Sequence, residues 1–227
     1  MSLLAKLFPK WCRGSRRRSF ALNELDRKLE PYLDFDHGFF IEAGANDGVS
    51  QSNTLYFERY RGWKGLLIEP IPELAAQCRR NRPACIVENY ALVPFDHRGD
   101  SVEMRYCNLM SLVKGAMKSE EADLAHIQKG AEVQRVEPRE LRVPAQTLTA
   151  ILDRHQPSRI DFFSLDVEGG ELSALQGLDL ARYRPIFILV EARTREEIDD
   201  FLAPYYDVRA VLSHHDVLYQ SRNAHTR

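Results

Sequence analysis

The sequence predicts an α/β domain in which a mostly parallel sheet carries helices on both faces, and three observations predict it. Apolar strand-like runs at 38–42, 63–69, 160–166 and 185–191 alternate with helix-length segments. The runs are nearly continuous in their apolar character, the pattern of strands buried on both faces. The chain then ends in two short strand patterns around Ser213, His214, His215 and Asp216, which predict an antiparallel hairpin at one sheet edge.

The elements follow in order. Phe20, Leu22, Leu25, Leu29 and Leu33 recur at helical spacing and predict a helix over 19–33, weakened near its end by Pro31. A strand at 38–42, a helix at 53–60, a strand at 63–69, a helix at 71–81 and a strand at 84–90 make the first half. The pattern resumes with a helix at 147–155, a strand at 160–166, a helix at 170–178, a strand at 185–191 and a helix at 194–202, before the hairpin strands at 206–212 and 217–220. Between the halves, 99–144 reads as an irregular, charge-rich insertion. Within it 101–106 and 140–143 alternate like strands, and 114–129 reads as either a helix or a loop. An insertion of that length inside a domain is commonly functional.

A chain of 227 residues with 44% hydrophobic content suits one domain over 19–227, preceded by a basic, flexible leader at 1–18. No acidic residue precedes Glu24, while Lys6, Lys10, Arg13, Arg16, Arg17 and Arg18 give the leader a weak affinity for an anionic membrane surface. The leader lacks the order of a secretory signal, and no segment has the apolar length of a membrane span. Over the whole chain, 31 Lys and Arg balance 33 Asp and Glu for a net charge of -2, so no global field attracts nucleic acid. Cys12, Cys78, Cys85 and Cys107 show no CxxC spacing, which points to reduced thiols in the cytoplasm.

The first strand runs into Glu42-Ala43-Gly44-Ala45-Asn46-Asp47-Gly48. A dinucleotide site would have glycine at the position of Asn46, to let a pyrophosphate reach the backbone, and would not follow it with the like charge of Asp47. The turn suits a cationic ligand without phosphates, and S-adenosylmethionine has that character. Glu42 is then expected to face the ligand's ammonium, and Glu69, at the end of the second strand, to take both ribose hydroxyls. Asn89, Tyr90 and Ala91, after the third strand, are expected to bracket the adenine. These groups fall at the carboxyl ends of consecutive strands, the side on which open α/β sheets bind ligands.

Asp166, Glu168 and Glu171 put three carboxylates within six residues at the end of the fourth strand, and Glu191 ends the next. Such crowding persists where a cation, a shared proton or a substrate compensates it. Two functions fit. Asp166 or Glu168 can serve as a general base toward a substrate hydroxyl, or Asp166, Glu168 and Glu191 can hold a divalent cation such as magnesium. Glu171 reads as charging a helix N-terminus. His37, His214 and His215 read as surface residues.

Five segments in order, FIEAGANDGVSQSNTLYFE, GWKGLLIEPIPEL, VPAQTLTAILD, IDFFSLDVEGGELSALQGL and RPIFILVE, resemble the FkbM family of S-adenosylmethionine-dependent methyltransferases over roughly 39–191. The resemblance implies a class I methyltransferase (Rossmann-like) fold with a seven-stranded sheet whose last strand is antiparallel. It also implies methyl transfer to a hydroxyl oxygen of a sugar or secondary metabolite. By position it assigns the cofactor to Glu42, Gly44, Asn46, Asp47, Asn53 and Glu69, and the active site to Asp166 and Glu168. Glu42 stands where aspartate is commoner in the family. The segment from Asn108 to Arg139 is expected to cover the acceptor. A NAD-dependent oxidoreductase and a non-catalytic binding relative are the competing readings, and the missing GxGxxG argues against the first.

Overall fold

The structure, a computed structural model, describes residues 18–222, so the basic leader lies outside the described residues except for Arg18. The first half comprises α1 (Leu25–Leu29), β1 (Phe39–Ala43), α2 (Leu55–Arg61), β2 (Lys64–Ile68), α3 (Pro72–Asn81) and β3 (Ile86–Glu88). Next come β4 (Ala91–Leu92), β5 (Ser101–Tyr106), β6 (Leu112–Val113), α4 (Glu120–Gln134) and β7 (Arg139–Gln146). The second half adds α5 (Leu148–His155), β8 (Phe162–Leu165), α6 (Glu171–Leu175), β9 (Phe187–Glu191), α7 (Arg195–Leu202), β10 (Tyr206–Val211) and β11 (Asp216–Ser221).

Seven strands form the main sheet in the order β10, β11, β9, β8, β1, β2, β3. β1 runs parallel to β2 and β8, while β11 runs antiparallel to both β9 and β10. Among the described residues the one reversed strand of this sheet is therefore the last, as the resemblance implies, and it lies between β9 and β10 rather than at the edge. Strand order reverses at β1, where the chain has built outward through β2 and β3 before returning to β8. The crevice above the carboxyl ends of β1 and β8 is the ligand site of such sheets.

Adjacent strand residues face opposite ways, so Phe40 and Ile41 enter two different cores. Ile41, Ala43, Leu66 and Ile68 pack with Leu148, Ile151 and Leu152 of α5, Leu175 of α6, and Ile198 and Leu202 of α7. Phe40, Leu67 and Phe162 pack on the other face with Leu29, Leu33, Tyr56, Phe57 and Trp63. Helices thus cover both faces.

Two expectations differ from the structure. The helix expected over 19–33 is reduced to a 3-10 turn at Leu22–Glu24 and the short α1. The side chain of Asp26, fully buried, accepts from Ser19 Oγ at 2.5 Å, Phe20 N at 2.7 Å and Ala21 N at 3.3 Å. That carboxylate folds the preceding chain across the helix start, and Asn23 and Glu24 take left-handed φ of 51° and 55°.

The segment 99–144 is not irregular. β5 pairs antiparallel with β7 from Ser101↔Pro144 to Tyr106↔Arg139 and with β6, and β4 joins β7 to complete a second, four-stranded sheet. The stretch 114–129, read as either a helix or a loop, holds a helix only from Glu120, where Ser119 caps α4 by accepting from Ala122 N at 3.1 Å. Asp123 also accepts from Gly115 N and Met117 N, which holds 115–117 in a turn. The charge that made this segment look like a loop is partly internal: buried Arg105 pairs with Glu120, with Asp123 at 3.3 Å and with Glu140 at 3.3 Å. No helix among the described residues is long and apolar enough to cross a membrane.

Candidate active site

A cavity of about 300 Å³ opens above β1 and β8. Its floor is the turn after β1. Gly44 has φ +81°, and a Cβ there would lie 1.7 Å from the carbonyl oxygen of Asp166, so only glycine lets β1 and β8 end this close together. Asn46 follows at φ +49°, a region that asparagine tolerates better than most residues.

Every backbone amide of this turn is already engaged within the protein. Gly44 N and Ala45 N donate to Ile68 O at 3.0 and 3.2 Å, and Gly48 N donates to Ala45 O at 2.8 Å. Asn46 N donates to Glu69 Oε2 at 2.8 Å, and Asp47 N donates to Asn46 Oδ1 at 2.8 Å. Asp47 Oδ1 accepts from Val49 N at 2.8 Å and Ser50 N at 2.7 Å, and Oδ2 from Ser50 Oγ at 2.9 Å. Asp47 does not border the cavity. Its carboxylate closes the loop instead of meeting a ligand, which corrects the expectation from the sequence.

Glu42 does border the cavity, although it is only 4% exposed. Its Oε1 accepts from Asn53 N at 2.8 Å, and its Oε2 from Ser52 Oγ at 2.9 Å and Thr54 Oγ1 at 2.6 Å. Buried Arg82 stands 3.7 Å away and also donates to Gly48 O at 2.9 Å. The expected contact to a ligand ammonium competes with these donors, so the first role of Glu42 is to fold the loop that carries Asn53. Asn53 Nδ2 donates to Ser164 Oγ at 3.0 Å. Asn53 Oδ1 is buried on the cavity wall with no hydrogen-bond partner among the described residues. Leaving such an acceptor unpaired costs about 1–3 kcal/mol, so the position favours a ligand that brings a donor.

Glu69, also 4% exposed, has one backbone donor on each carboxylate oxygen, Asn46 N on Oε2 and Ile71 N on Oε1 at 2.9 Å. Each oxygen keeps capacity for a second donor. Burial pushes this carboxyl up to about 7, against the opposing effect of the two amides. Asn89 does not reach the cavity: its Nδ2 donates to Glu69 O and Pro70 O at 2.8 Å each, so it fixes the loop behind Glu69. Tyr90 and Ala91 do border the cavity, beside Leu92, Met104 and Val113.

Across the crevice, Asp166, Glu168 and Glu191 each bring one oxygen to within 4.8 Å of the others, the grouping the sequence anticipated. Asp166 is exposed onto the cavity, yet the surrounding protein, then Glu191 and Glu168, hold its carboxyl well above the usual carboxylate range. Glu168 has φ +54°, and burial pushes it up to about 8 against the pull of Arg193, with Glu191 adding to the rise. Arg193 Nη2 lies 2.5 Å from Glu168 Oε2 and 3.5 Å from Glu191 Oε2. Glu191 Oε2 has no hydrogen-bond partner among the described residues. Glu171 accepts from Val167 N at 3.1 Å and Gly169 N at 3.0 Å and stays off the cavity, fixing the turn before α6.

Several groups on the site were not read from the sequence. Arg193 is separated from Glu191 by one residue, a local signal that a search for counter-charges at strand ends could have found. His126 of α4 lies with Nε2 3.4 Å from Glu168 Oε2 and 3.1 Å from Met110 O, and Asn108 and Gln134 border the cavity. These three lie in the segment from Asn108 to Arg139, expected as a whole to cover the acceptor, and which of its side chains reach the site is decided only by the tertiary fold. His37, His214 and His215 do not border the cavity.

A family model described as the methyltransferase FkbM domain matches residues 42–219. No curated protein matches the chain. Among solved structures, a TehB-like SAM-dependent methyltransferase from Corynebacterium glutamicum is similar at 9% identity and TM-score 0.43, covering 87% of this chain and 88% of that one. A human methyltransferase 10 domain containing protein is similar at 11% identity and TM-score 0.42, over 91% and 83% of the two chains. A SAM-dependent methyltransferase from Geobacter sulfurreducens, in complex with S-adenosyl-L-homocysteine, is similar at 13% identity and TM-score 0.40, over 87% and 69%. Likenesses this distant carry no argument about the ligand or chemistry of this chain.

Proposed function

The chain belongs to the FkbM methyltransferase family, and from that premise we propose that it transfers a methyl group from S-adenosylmethionine to a hydroxyl oxygen of a sugar or secondary metabolite. The observation that carries the cofactor reading is the engagement of the turn's amides. Gly44, Ala45, Asn46, Asp47 and Gly48 have no free N–H for a pyrophosphate, whereas Glu69 and Asn53 offer acceptor capacity to hydroxyl and ammonium donors.

In this reading Glu69 accepts both ribose hydroxyls, Asn53 Oδ1 accepts from the ammonium, and Tyr90, Ala91 and Leu92 hold the adenine edge with Met104. When bound, S-adenosylmethionine supplies an electrophilic methyl carbon: the acceptor oxygen bonds to it, the carbon–sulfur bond breaks, and the electron pair leaves on sulfur as S-adenosylhomocysteine. Asp166 takes the acceptor's hydroxyl proton, since it is the most exposed of the three carboxylates that line the cavity, and its raised pKa makes it a better proton acceptor than an ordinary carboxylate. Glu168, held by Arg193, orients the hydroxyl. The three oxygens also have the spacing to hold a divalent cation such as magnesium. Arg193 already lies against two of them, which favours the base over the metal. A cytoplasmic setting goes with this reading, since Cys78, Cys85 and Cys107 are free thiols.

Calorimetry with S-adenosylhomocysteine and with NADH separates the cofactor classes, with binding expected for the first alone. A screen of hydroxylated acceptors with methyl-labelled cofactor then identifies the product. Asp166→Asn is expected to keep cofactor binding and lose about 100-fold or more in turnover. Full turnover by that variant would remove Asp166 as the base, and activity abolished by a chelator would restore the cation.

A further inference from the structure

The cap over the cavity is tied to the cofactor turn by a chain of amides. Asn46, whose backbone N–H is held by Glu69, donates from Nδ2 to Asn108 Oδ1 at 3.2 Å. Asn108 Nδ2 in turn donates to Gln134 Oε1, on the last residue of α4, at 3.3 Å. All four residues border the cavity. Asn108 opens the 3-10 turn Asn108–Met110 at φ +52°, and Leu109 and Met110 of that turn also border the cavity.

This turn and α4 pack as one body. A Cβ on Gly130 of α4 would lie 2.8 Å from Cys107 Sγ and 3.0 Å from Met110 Cβ, so the helix rides directly on 107–110. His126 adds a polar contact to Met110 O and brings the same helix to Glu168. The unit therefore meets the cofactor turn at Asn108 and the acidic cluster at His126, the two ends of the site.

We propose that Asn108 is a positioning residue for methyl transfer, one that couples the cap of 107–134 to the cofactor turn so that the cap settles over the acceptor side once the cofactor is held. This rests on the S-adenosylmethionine reading above. A hydrogen bond between two neutral amides is weak on balance, so two in series leave the cap able to open and still responsive to restraint of Asn46. Cofactor contacts at Glu69 and the turn fix Asn46, and the amide chain passes that restraint to α4.

Hydrogen exchange of the α4 amides, measured on the whole chain with and without saturating S-adenosylhomocysteine, tests the coupling. In the wild type the ligand is expected to slow α4 exchange by about fivefold or more. Asn108→Gly keeps the left-handed turn and removes only the amide; it is expected to bind within about threefold of wild-type affinity while α4 protection drops below about twofold. Asn108→Asp keeps the acceptor for Asn46 and lets Gln134 turn its own amide toward it, so it should recover most of the protection, which a purely conformational role for residue 108 would not distinguish from glycine. Gln134→Ala breaks the far link and carries the same decision if Asn108→Gly folds poorly. Ligand binding with α4 unchanged in the wild type, or equally protected in Asn108→Gly, would overturn the coupling and leave the cofactor assignment standing. No binding of S-adenosylhomocysteine by the wild type would overturn both.

Discussion

Glu69 carries a chemical consequence that its position alone would not reveal. One backbone N–H on each oxygen is too little to offset complete burial, so the carboxyl titrates at about 7 instead of near 4.5. Between those values the folded chain holds a proton that the unfolded chain has released. The group's contribution to stability is therefore fully present below pH 4.5 and is lost as pH rises through 7. Ligand binding runs the other way, because ribose hydroxyls need the ionised acceptor. The affinity for S-adenosylhomocysteine should rise by about tenfold from pH 6 to pH 8 and then level off, while Glu69→Gln should bind weakly with no such slope. Titration calorimetry across that range decides it, and a flat wild-type profile would remove the ribose assignment. The sequence pointed to Glu69 and Asp166 because acids at the carboxyl ends of parallel strands face the crevice, and both do border the cavity. It misassigned Asp47 and Asn89 because residue type and strand-end position do not reveal whether a polar group faces the crevice or the loop behind it.

At the scale of elements, strand cores were legible because their apolar runs need burial on both faces, and the predicted strand boundaries differ from the observed ones by at most three residues. α1 was not. Its apolar spacing is real, with Leu25, Leu29 and Leu33 all buried, but Asp26 overrides the local preference for helix before it. The same carboxylate positions a strap beside the cavity: Ala21 bridges to Gln51, and the side chain of Leu22, next along, borders the site. Asp26→Ala would leave Phe20 N and Ala21 N without their acceptor and release the strap. A loss of about 2–4 kcal/mol in denaturant unfolding is expected, together with weaker ligand binding. Asp26→Asn, which keeps one acceptor oxygen, should fall between the two. Unchanged stability in the alanine variant would mean that the strap contributes nothing to the fold.

At the scale of the molecule, the insertion is the part that periodicity could not resolve, since its sheet closes by antiparallel pairing between strands separated by a helix and its charges are satisfied internally. It is nevertheless packed against the main domain and joined to it closely in the chain. β7 runs directly into α5, β4 pairs with β7, and Ile71 and Leu74, at the start of α3, pack against Met104 and Val143 of the insertion in a shared cluster. A cofactor gripped by Glu69 on one side and Met104 on the other should therefore stabilise both sheets together. At a concentration 100-fold above its dissociation constant, S-adenosylhomocysteine adds about 2.7 kcal/mol, which for a chain of this size corresponds to roughly 5–10 °C in Tm. The expected melt is one cooperative transition that shifts as a unit, followed by calorimetry and by circular dichroism at the same scan rate. Two transitions, with only the later one moved by the ligand, would mean that the insertion unfolds independently and contributes no wall to the cofactor site.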